Sequence, residues 1–144
     1  MFHIEYLIKQ RSPTNIIANE PALAPVWSGM IGTSEGDHYG RPFSFHQQAQ
    51  KANWPAAWRE IATPVLVLYG EYDWVEDLEG HRWIVEIVNA RRPQAAELHV
   101  LPQTNHNFSR YPDRKAAFDE EGGDMVGDEA ASLIASWISQ NLRE

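Results

Sequence analysis

Hydrophobic and polar residues follow two different patterns along the chain, and the change falls near residue 63. Before that point, short stretches with helical spacing, such as "FHIEYLIKQ" and "FHQQAQKAN", are separated by turn-forming residues. A further helix is predicted over "PAAWREI", because Pro55 suits the first turn of a helix. The breaks between these stretches are Pro13, Pro21, Pro25 and the glycine-rich loop 32–42. The pattern predicts that residues 1–62 form a segment of short helices.

From residue 63 onward the pattern is more regular and predicts alternating strands and helices. The first strand is the continuous apolar run "VLVLY", which ends at Gly70 and is typical of a strand buried on both faces of a parallel sheet. The helices show apolar residues at helical spacing, and the second strand alternates. The predicted elements are strand 65–69, helix 76–90, strand 95–101 and helix 126–142. The fold class is therefore α/β, with a parallel β-α-β unit and a C-terminal helix.

Two residues that can carry chemistry follow the ends of the two predicted strands. Asp73 lies just past the first strand, and His106 lies just past the second, within "PQTNHNF". The carboxyl ends of parallel strands open on the same side of a sheet, where ligands bind in open α/β folds. Because neighbouring strands lie about 4.8 Å apart, we expect the two side chains to touch. A carboxylate in that position fixes the imidazole tautomer and stabilises the imidazolium.

Composition and charge exclude several classes of function. The 144 residues include 12 Lys and Arg against 20 Asp and Glu, a net charge of −8, so nucleic acid and anionic membrane are not expected partners. No apolar run reaches the roughly 20 residues that span a bilayer. The start of the chain lacks the basic region of a signal peptide, so the expected compartment is the cytoplasm.

The residue inventory also bears on metals and cofactors. The chain has no cysteine, which excludes disulfides, thiolate metal ligands and a cysteine nucleophile. The histidines show no metal-ligand spacing, and the acidic stretch 119–129 lacks the spacing of a calcium loop. Neither a metal nor a cofactor is expected.

Two motifs resemble those of the α/β-hydrolase family. The stretch "PVLVLYGEYDWV", followed by "ELHVLPQTNHNFSR", is similar to the seventh and eighth strands of that fold with the residues that follow them. The resemblance implies that Asp73 is the acid and His106 the general base of a Ser-His-Asp triad. It further implies hydrolysis of an ester, an amide or a similar acyl bond.

The resemblance also implies a domain organisation. It covers residues 54–142 well and residues 1–53 loosely, as the helical lid of a hydrolase. The expected organisation is a lid-like or cap-like segment at 1–62, followed at 63–144 by the C-terminal part of a partial α/β-hydrolase fold. On this interpretation the chain corresponds to a truncated hydrolase, because the first six strands of the family are not recognisable.

The third member of the triad is harder to place. The family pattern G-x-S-x-G occurs once, as "GTSEG" at 32–36, which makes Ser34 the candidate nucleophile. No strand is predicted before Ser34 and no helix after it, although the nucleophile of this family sits on a sharp strand-to-helix turn. The nucleophile half is therefore expected to be missing from the chain. A partner chain that carries it, or a second copy of this chain, is expected to pair with the open edge of the Val65–Tyr69 strand.

Six tryptophans are many for this length, and two of them are candidates for a substrate pocket. Trp58 and Trp74 are predicted to border a site for a small acyl substrate, although core or interface packing is the alternative. Three hypotheses remain open for the whole chain. It is part of a hydrolase, or it is a catalytically inactive remnant that acts as an interaction or regulatory module, or it has an unrelated small fold that keeps Asp73 far from His106.

Overall fold

A computed structural model describes residues 1–29 and 37–141 of the chain. Within these residues the protein is mixed α/β, with one small parallel sheet and two small antiparallel sheets. The chain forms two compact units, Met1–Asn53 and Trp54–Glu144. The division falls nearer the N-terminus than residue 62, because the helix Trp54–Glu60 packs on a helix of the second unit.

The first unit consists of short helices and one hairpin. Its elements are a π-helical turn at Ile4–Ile8, α1 at Pro13–Asn19, a 3₁₀ turn at Pro21–Leu23, α2 at Ala24–Gly29, β1 at Asp37–His38, β2 at Arg41–Pro42 and α3 at Phe43–Lys51. Helix α1 begins with Pro13 in its first turn, and the Ser12 hydroxyl accepts a hydrogen bond from Asn15 N at 3.2 Å. The predicted helical character of this segment is confirmed.

The hairpin is the main difference from the predicted pattern in the first unit. The composition of residues 32–42 predicts a loop, but β1 and β2 pair as antiparallel strands. Tyr39 and Gly40 connect them with φ values of 50° and 67°. Two successive residues with positive φ give the turn whose twist matches that of the flanking strands. Composition alone identifies the turn residues but not the two short strands beside them.

Aromatic rings form the core of the first unit. Phe2, Tyr6, Ile16 and Trp27 are buried together. The rings of Phe2 and Trp27 stack with centroids 5.6 Å apart, and Tyr6 meets Trp27 edge-on at 5.7 Å. The Gln47 side chain donates to the Tyr6 carbonyl at 2.9 Å, which ties α3 to this core.

The second unit contains the predicted strand–helix–strand arrangement. Its elements are α4 at Trp54–Glu60, β3 at Val65–Gly70, α5 at Leu78–Arg91, β4 at Ala96–Leu101, β5 at Ser109–Arg110, α6 at Arg114–Asp119, β6 at Asp124–Met125 and α7 at Gly127–Asn141. Strands β3 and β4 pair in parallel, with Val65 opposite Ala96 and Gly70 opposite Leu101. The predicted parallel β-α-β unit and the closing helix are therefore confirmed.

Helix α5 is held at both ends by side-chain hydrogen bonds. At its start, Asp77 Oδ1 accepts from Gly80 N at 2.7 Å, which satisfies one of the free N–H groups of the first turn. Near its end, the Asn89 side chain bonds both the N–H and the carbonyl of Ala96, each at 2.9 Å. Val88, in the last turns of the helix, is buried. These contacts fix α5 against the sheet and so fix the direction in which the chain leaves β3.

The loop after β4 passes very close to the end of β3. Glu71 N donates to Leu101 O and Tyr72 N donates to Thr104 O, both at 2.9 Å. A side chain at Gly70 would meet backbone in this place, since an added Cβ would lie 2.4 Å from Thr104 O and 2.7 Å from Asn105 O. Glycine is therefore required at position 70 by the approach of the loop.

Replacing Gly70 by alanine is expected to lower the free energy of unfolding by about 1–3 kcal/mol, because the methyl group must push the backbone of the loop away. Denaturant unfolding monitored by circular dichroism measures the change. Gly127→Ala is the matched control, because nothing lies within 4 Å of a Cβ at that position. A Gly70→Ala protein as stable as the Gly127→Ala protein would contradict the close approach.

Candidate functional site

The structure brings Asp73 and His106 into direct contact. The Nδ1 atom of His106 lies 2.9 Å from Oδ2 of Asp73, across a separation of 33 positions in the chain. Asp73 follows β3 in a turn closed by its own N–H, which donates to Gly70 O at 3.0 Å. His106 lies in the loop that follows β4 and crosses Gly70. The parallel pairing of the two strands therefore places the acid and the histidine at the same end of the sheet.

The Asp73 carboxylate is buried and fully engaged. Its side chain is 5% exposed, compared with 44% for His106. Its Oδ1 atom accepts from Val75 N at 2.8 Å and from Glu76 N at 3.0 Å, while Oδ2 faces the imidazole. Burial raises the pKa of Asp73, but the hydrogen bonds from Glu76 N, the His106 ring and Val75 N outweigh it, so the net pKa is lowered. The carboxylate is therefore ionised at neutral pH.

The arrangement defines the tautomer of His106. An ionised carboxylate only accepts hydrogen bonds, so Nδ1 of His106 carries the proton that it shares with Asp73. In the neutral ring, Nε2 then holds a lone pair and can accept a proton. The exposed position of the ring leaves this nitrogen accessible to a reacting group. Chemically, the pair can act as a general base whose positive charge is stabilised by a buried carboxylate.

A buried asparagine next to the histidine holds the loop in shape. Asn105 is 1% exposed, and its Oδ1 accepts from Asn107 N at 3.0 Å and from Ser109 N at 3.1 Å. Its backbone N–H donates to Ser109 O at 2.9 Å. Sequence reasoning does not assign Asn105 a role. The sequence signal that could have identified this role is the asparagine directly before the candidate histidine, because asparagine side chains often accept from the backbone two positions further on.

Tyr69 is a second residue to which the sequence does not point. Its ring is buried at the end of β3, and its hydroxyl donates to the carbonyls of Asp73 at 3.4 Å and Glu76 at 3.3 Å. Burial and then the negative charge of Asp73 raise the pKa of Tyr69, so the hydroxyl stays protonated and remains a donor. The tyrosine thus closes the turn that carries the acid.

The remaining candidates have different positions. Ser34 and its motif lie outside the described residues. Trp58 lines an apolar groove beside α5, while Trp74 packs edge-on against Phe118 with ring centroids 5.2 Å apart and does not line that groove. Among the described residues, Trp58 and Trp74 therefore have different neighbours.

Metal binding and membrane insertion find no support in the residues that the structure describes. Among residues 1–29 and 37–141, no group of three or more His, Cys, Asp or Glu is arranged to hold a metal ion. In the same part of the chain, no helix has the length and hydrophobicity that a transmembrane segment needs.

Comparison of the chain with protein-family models, with curated proteins and with solved structures found no match. What the protein does is therefore inferred from the contact between Asp73 and His106 and from the residues around it. The contact joins a buried carboxylate to an exposed imidazole, an arrangement that is chemically able to transfer a proton.

The lowered pKa of Asp73 predicts a pH dependence of stability. Because the folded pKa lies below the ordinary value of 3.8, the ionised carboxylate stabilises the fold fully above that pH. This stabilisation is lost as the pH falls below 3.8 and through the folded pKa. Urea unfolding at a series of pH values measures this contribution. It is the free energy of unfolding of the wild type minus that of the Asp73→Asn protein.

Below about pH 5, the difference between the two proteins should shrink as the pH falls through the folded pKa of Asp73. The amide introduced by Asp73→Asn keeps an acceptor oxygen but has no charge to titrate, so this variant reports the contribution of all other groups. A difference that stays flat below about pH 5, or that grows there, would show that the Asp73 pKa is not lowered by folding.

Proposed function

We propose that the second unit carries the acid–base pair of an α/β-hydrolase-like site that cleaves an ester, an amide or a similar acyl bond. The single observation that carries this proposal is the 2.9 Å contact between His106 Nδ1 and Asp73 Oδ2 at the carboxyl ends of adjacent parallel strands. The order of the elements supports it, since strand, acid, helix, strand, histidine and closing helix follow one another as in the last part of that fold.

In the proposed reaction, Nε2 of His106 takes the proton of a hydroxyl as its oxygen attacks the acyl carbon. Asp73 remains ionised and stabilises the imidazolium that forms. The imidazolium then gives the proton to the leaving alcohol or amine, which leaves an acyl group on the nucleophile. Water, activated by His106 in the same way, releases the acid and restores the hydroxyl.

The attacking hydroxyl belongs, in this proposal, to Ser34 or to a partner chain. In the described part of the chain, the hydrogen bond to Asp73 is the only one that the His106 ring makes. Ser109 follows His106 by three residues, but its hydroxyl donates to Met125 Sδ at 3.3 Å and not to the His106 ring. Trp58 and Trp74 remain proposed contacts for the acyl substrate.

Hydrolysis of an activated aryl ester by the purified chain tests the pair directly. Replacing His106 by alanine should lower the rate by about 100- to 10,000-fold, because the general base is lost. Asp73→Asn should lower it comparably, because the ring loses its orienting carboxylate. His99→Ala is the matched control, since that ring is 42% exposed, lies on β4 and contacts Glu97 rather than Asp73.

The Ser34→Ala protein identifies the nucleophile. Loss of activity assigns the attack to Ser34, and retained activity that still depends on His106 assigns it to another group. A wild-type rate that equals the rate of His106→Ala overturns the proposal for the chain by itself. Activity that a second protein then restores favours a nucleophile on a partner chain. Inactivity throughout favours the second candidate function, in which the chain is an inactive interaction module.

One feature of the sheet favours this second candidate and also the proposed partner. On the edge of β3 that faces β4, Val65 N donates to Ala95 O at 2.8 Å and Glu71 N donates to Leu101 O at 2.9 Å. Alternate residues of a parallel ladder face the same neighbour, so the peptide groups of Leu66 and Leu68 face the opposite edge. Among the described residues, no strand pairs with that edge. We propose that a strand of a second copy, or of a nucleophile-bearing chain, pairs there.

Replacing Leu68 by proline should abolish association through this edge, because proline removes the outward N–H while the ladder to β4 stays intact. Multi-angle light scattering at micromolar concentration measures the mass of the wild type and the variant. Leu68→Ala is the matched control, since it shortens the same side chain but keeps the N–H. A monomeric wild type, or a Leu68→Pro protein of unchanged oligomeric mass, would contradict pairing at β3.

A further inference from the structure

A groove of about 520 Å³ lies between α4 and α5 of the second unit. Three indoles line it, from Trp54 and Trp58 on α4 and from Trp83 on α5. Trp54 and Trp83 are 57% and 58% exposed, although large aromatic residues ordinarily bury most of their surface. The volume falls in the range of roughly 300–1,000 Å³ that small-molecule sites occupy.

Two carboxylates border the same groove. Glu76 and Asp77 lie at the turn that leads into α5, and both line the recess. Asp77 is held in place by Gly80 N at 2.7 Å. The nearby Arg82 pairs with Glu79 at 3.5 Å, and among the described residues neither Glu76 nor Asp77 is in an ion pair. The groove therefore combines aromatic faces with negative charge that the described residues do not neutralise.

We propose that this groove binds a small organic cation of the arylalkylammonium class, with the ammonium group beside Glu76 and over an indole face. A cation over the face of a tryptophan is attracted by the ring quadrupole, and an adjacent carboxylate adds to that attraction. An anion would be repelled by the two carboxylates and by the net charge of −8. A neutral apolar ligand would gain the indole contacts but not the charge interaction.

The acid–base pair of the proposed hydrolase lies outside this groove, although Trp58, a proposed contact of the acyl substrate, lines it. Neither Asp73 nor His106 lines the groove, so cation binding is independent of whether the acid–base pair turns over a substrate. Binding to the His106→Ala protein should therefore equal binding to the wild type. Loss of cation binding would overturn the groove site alone, whereas a hydrolysis rate that does not depend on His106 would overturn the acid–base pair alone.

Titration with benzyltrimethylammonium, followed through the indole N–H signals in two-dimensional NMR spectra, tests the site. We expect the signals of the three groove tryptophans to shift together with a single Kd, while those of Trp27 and Trp137 remain in place. Glu76→Gln should weaken binding at least about threefold because a carboxylate is removed. Trp58→Leu should weaken it by about tenfold because an indole face is removed.

The controls distinguish the site from other kinds of binding. Glu79→Gln removes an equal charge three residues further along the chain than Glu76, in the first turn of α5 and at a position that does not line the groove, and it should leave Kd unchanged. Benzyl alcohol should bind more weakly than the cation. Equal binding of benzyl alcohol, an unchanged Kd in Glu76→Gln, or groove signals that do not shift would overturn the proposal. So would groove signals that move with protein concentration alone, since this would show that a second copy covers the groove.

Discussion

The carbonyl oxygen of Thr104 accepts a hydrogen bond from Tyr72 N, and this contact holds the loop after β4 against the end of β3. The contact exists because position 70 has no Cβ; a methyl group there would lie 2.4 Å from that oxygen. Everything that places His106 depends on it. Thr104 and Asn105 are almost fully buried, so their backbone groups need partners, which Tyr72 N provides for Thr104 O and Ser109 O provides for Asn105 N.

The same geometry explains why a carboxylate follows so apolar a strand. A buried charge is costly unless it is hydrogen-bonded, and Asp73 receives donors on both of its oxygens. Two of these donors are backbone groups of the turn itself, so they do not depend on the loop that carries His106. The imidazole completes the set from another part of the chain. The turn itself therefore orients the Asp73 carboxylate, and the parallel register of β3 and β4 brings His106 next to it.

The sequence predicts this pair because two independent rules agree. The apolar run "VLVLY" and the alternating run at 95–101 indicate parallel neighbours, and residues just past parallel strands share one end of a sheet. Individual side-chain contacts are not predicted, because hydrophobic periodicity indicates which residues are buried but not which residues they contact. Trp83 belongs to the apolar stripe of the helix, yet its ring is 58% exposed because it faces a groove. The role of Asn105 depends on a loop conformation that no periodic pattern specifies.

One short segment joins the acid to the groove. Asp73 Oδ1 binds the N–H of Glu76, and the Tyr69 hydroxyl donates to the carbonyls of both residues. Asp77 then begins α5, and the His81 ring one turn later packs on Tyr69 with centroids 4.9 Å apart. The hydrogen bonds that hold the Asp73 carboxylate and the Tyr69 hydroxyl therefore also fix the backbone of Glu76, whose side chain borders the groove. The position of Asp73 and the backbone at one border of the groove thus depend on the same turn, which connects β3 to α5.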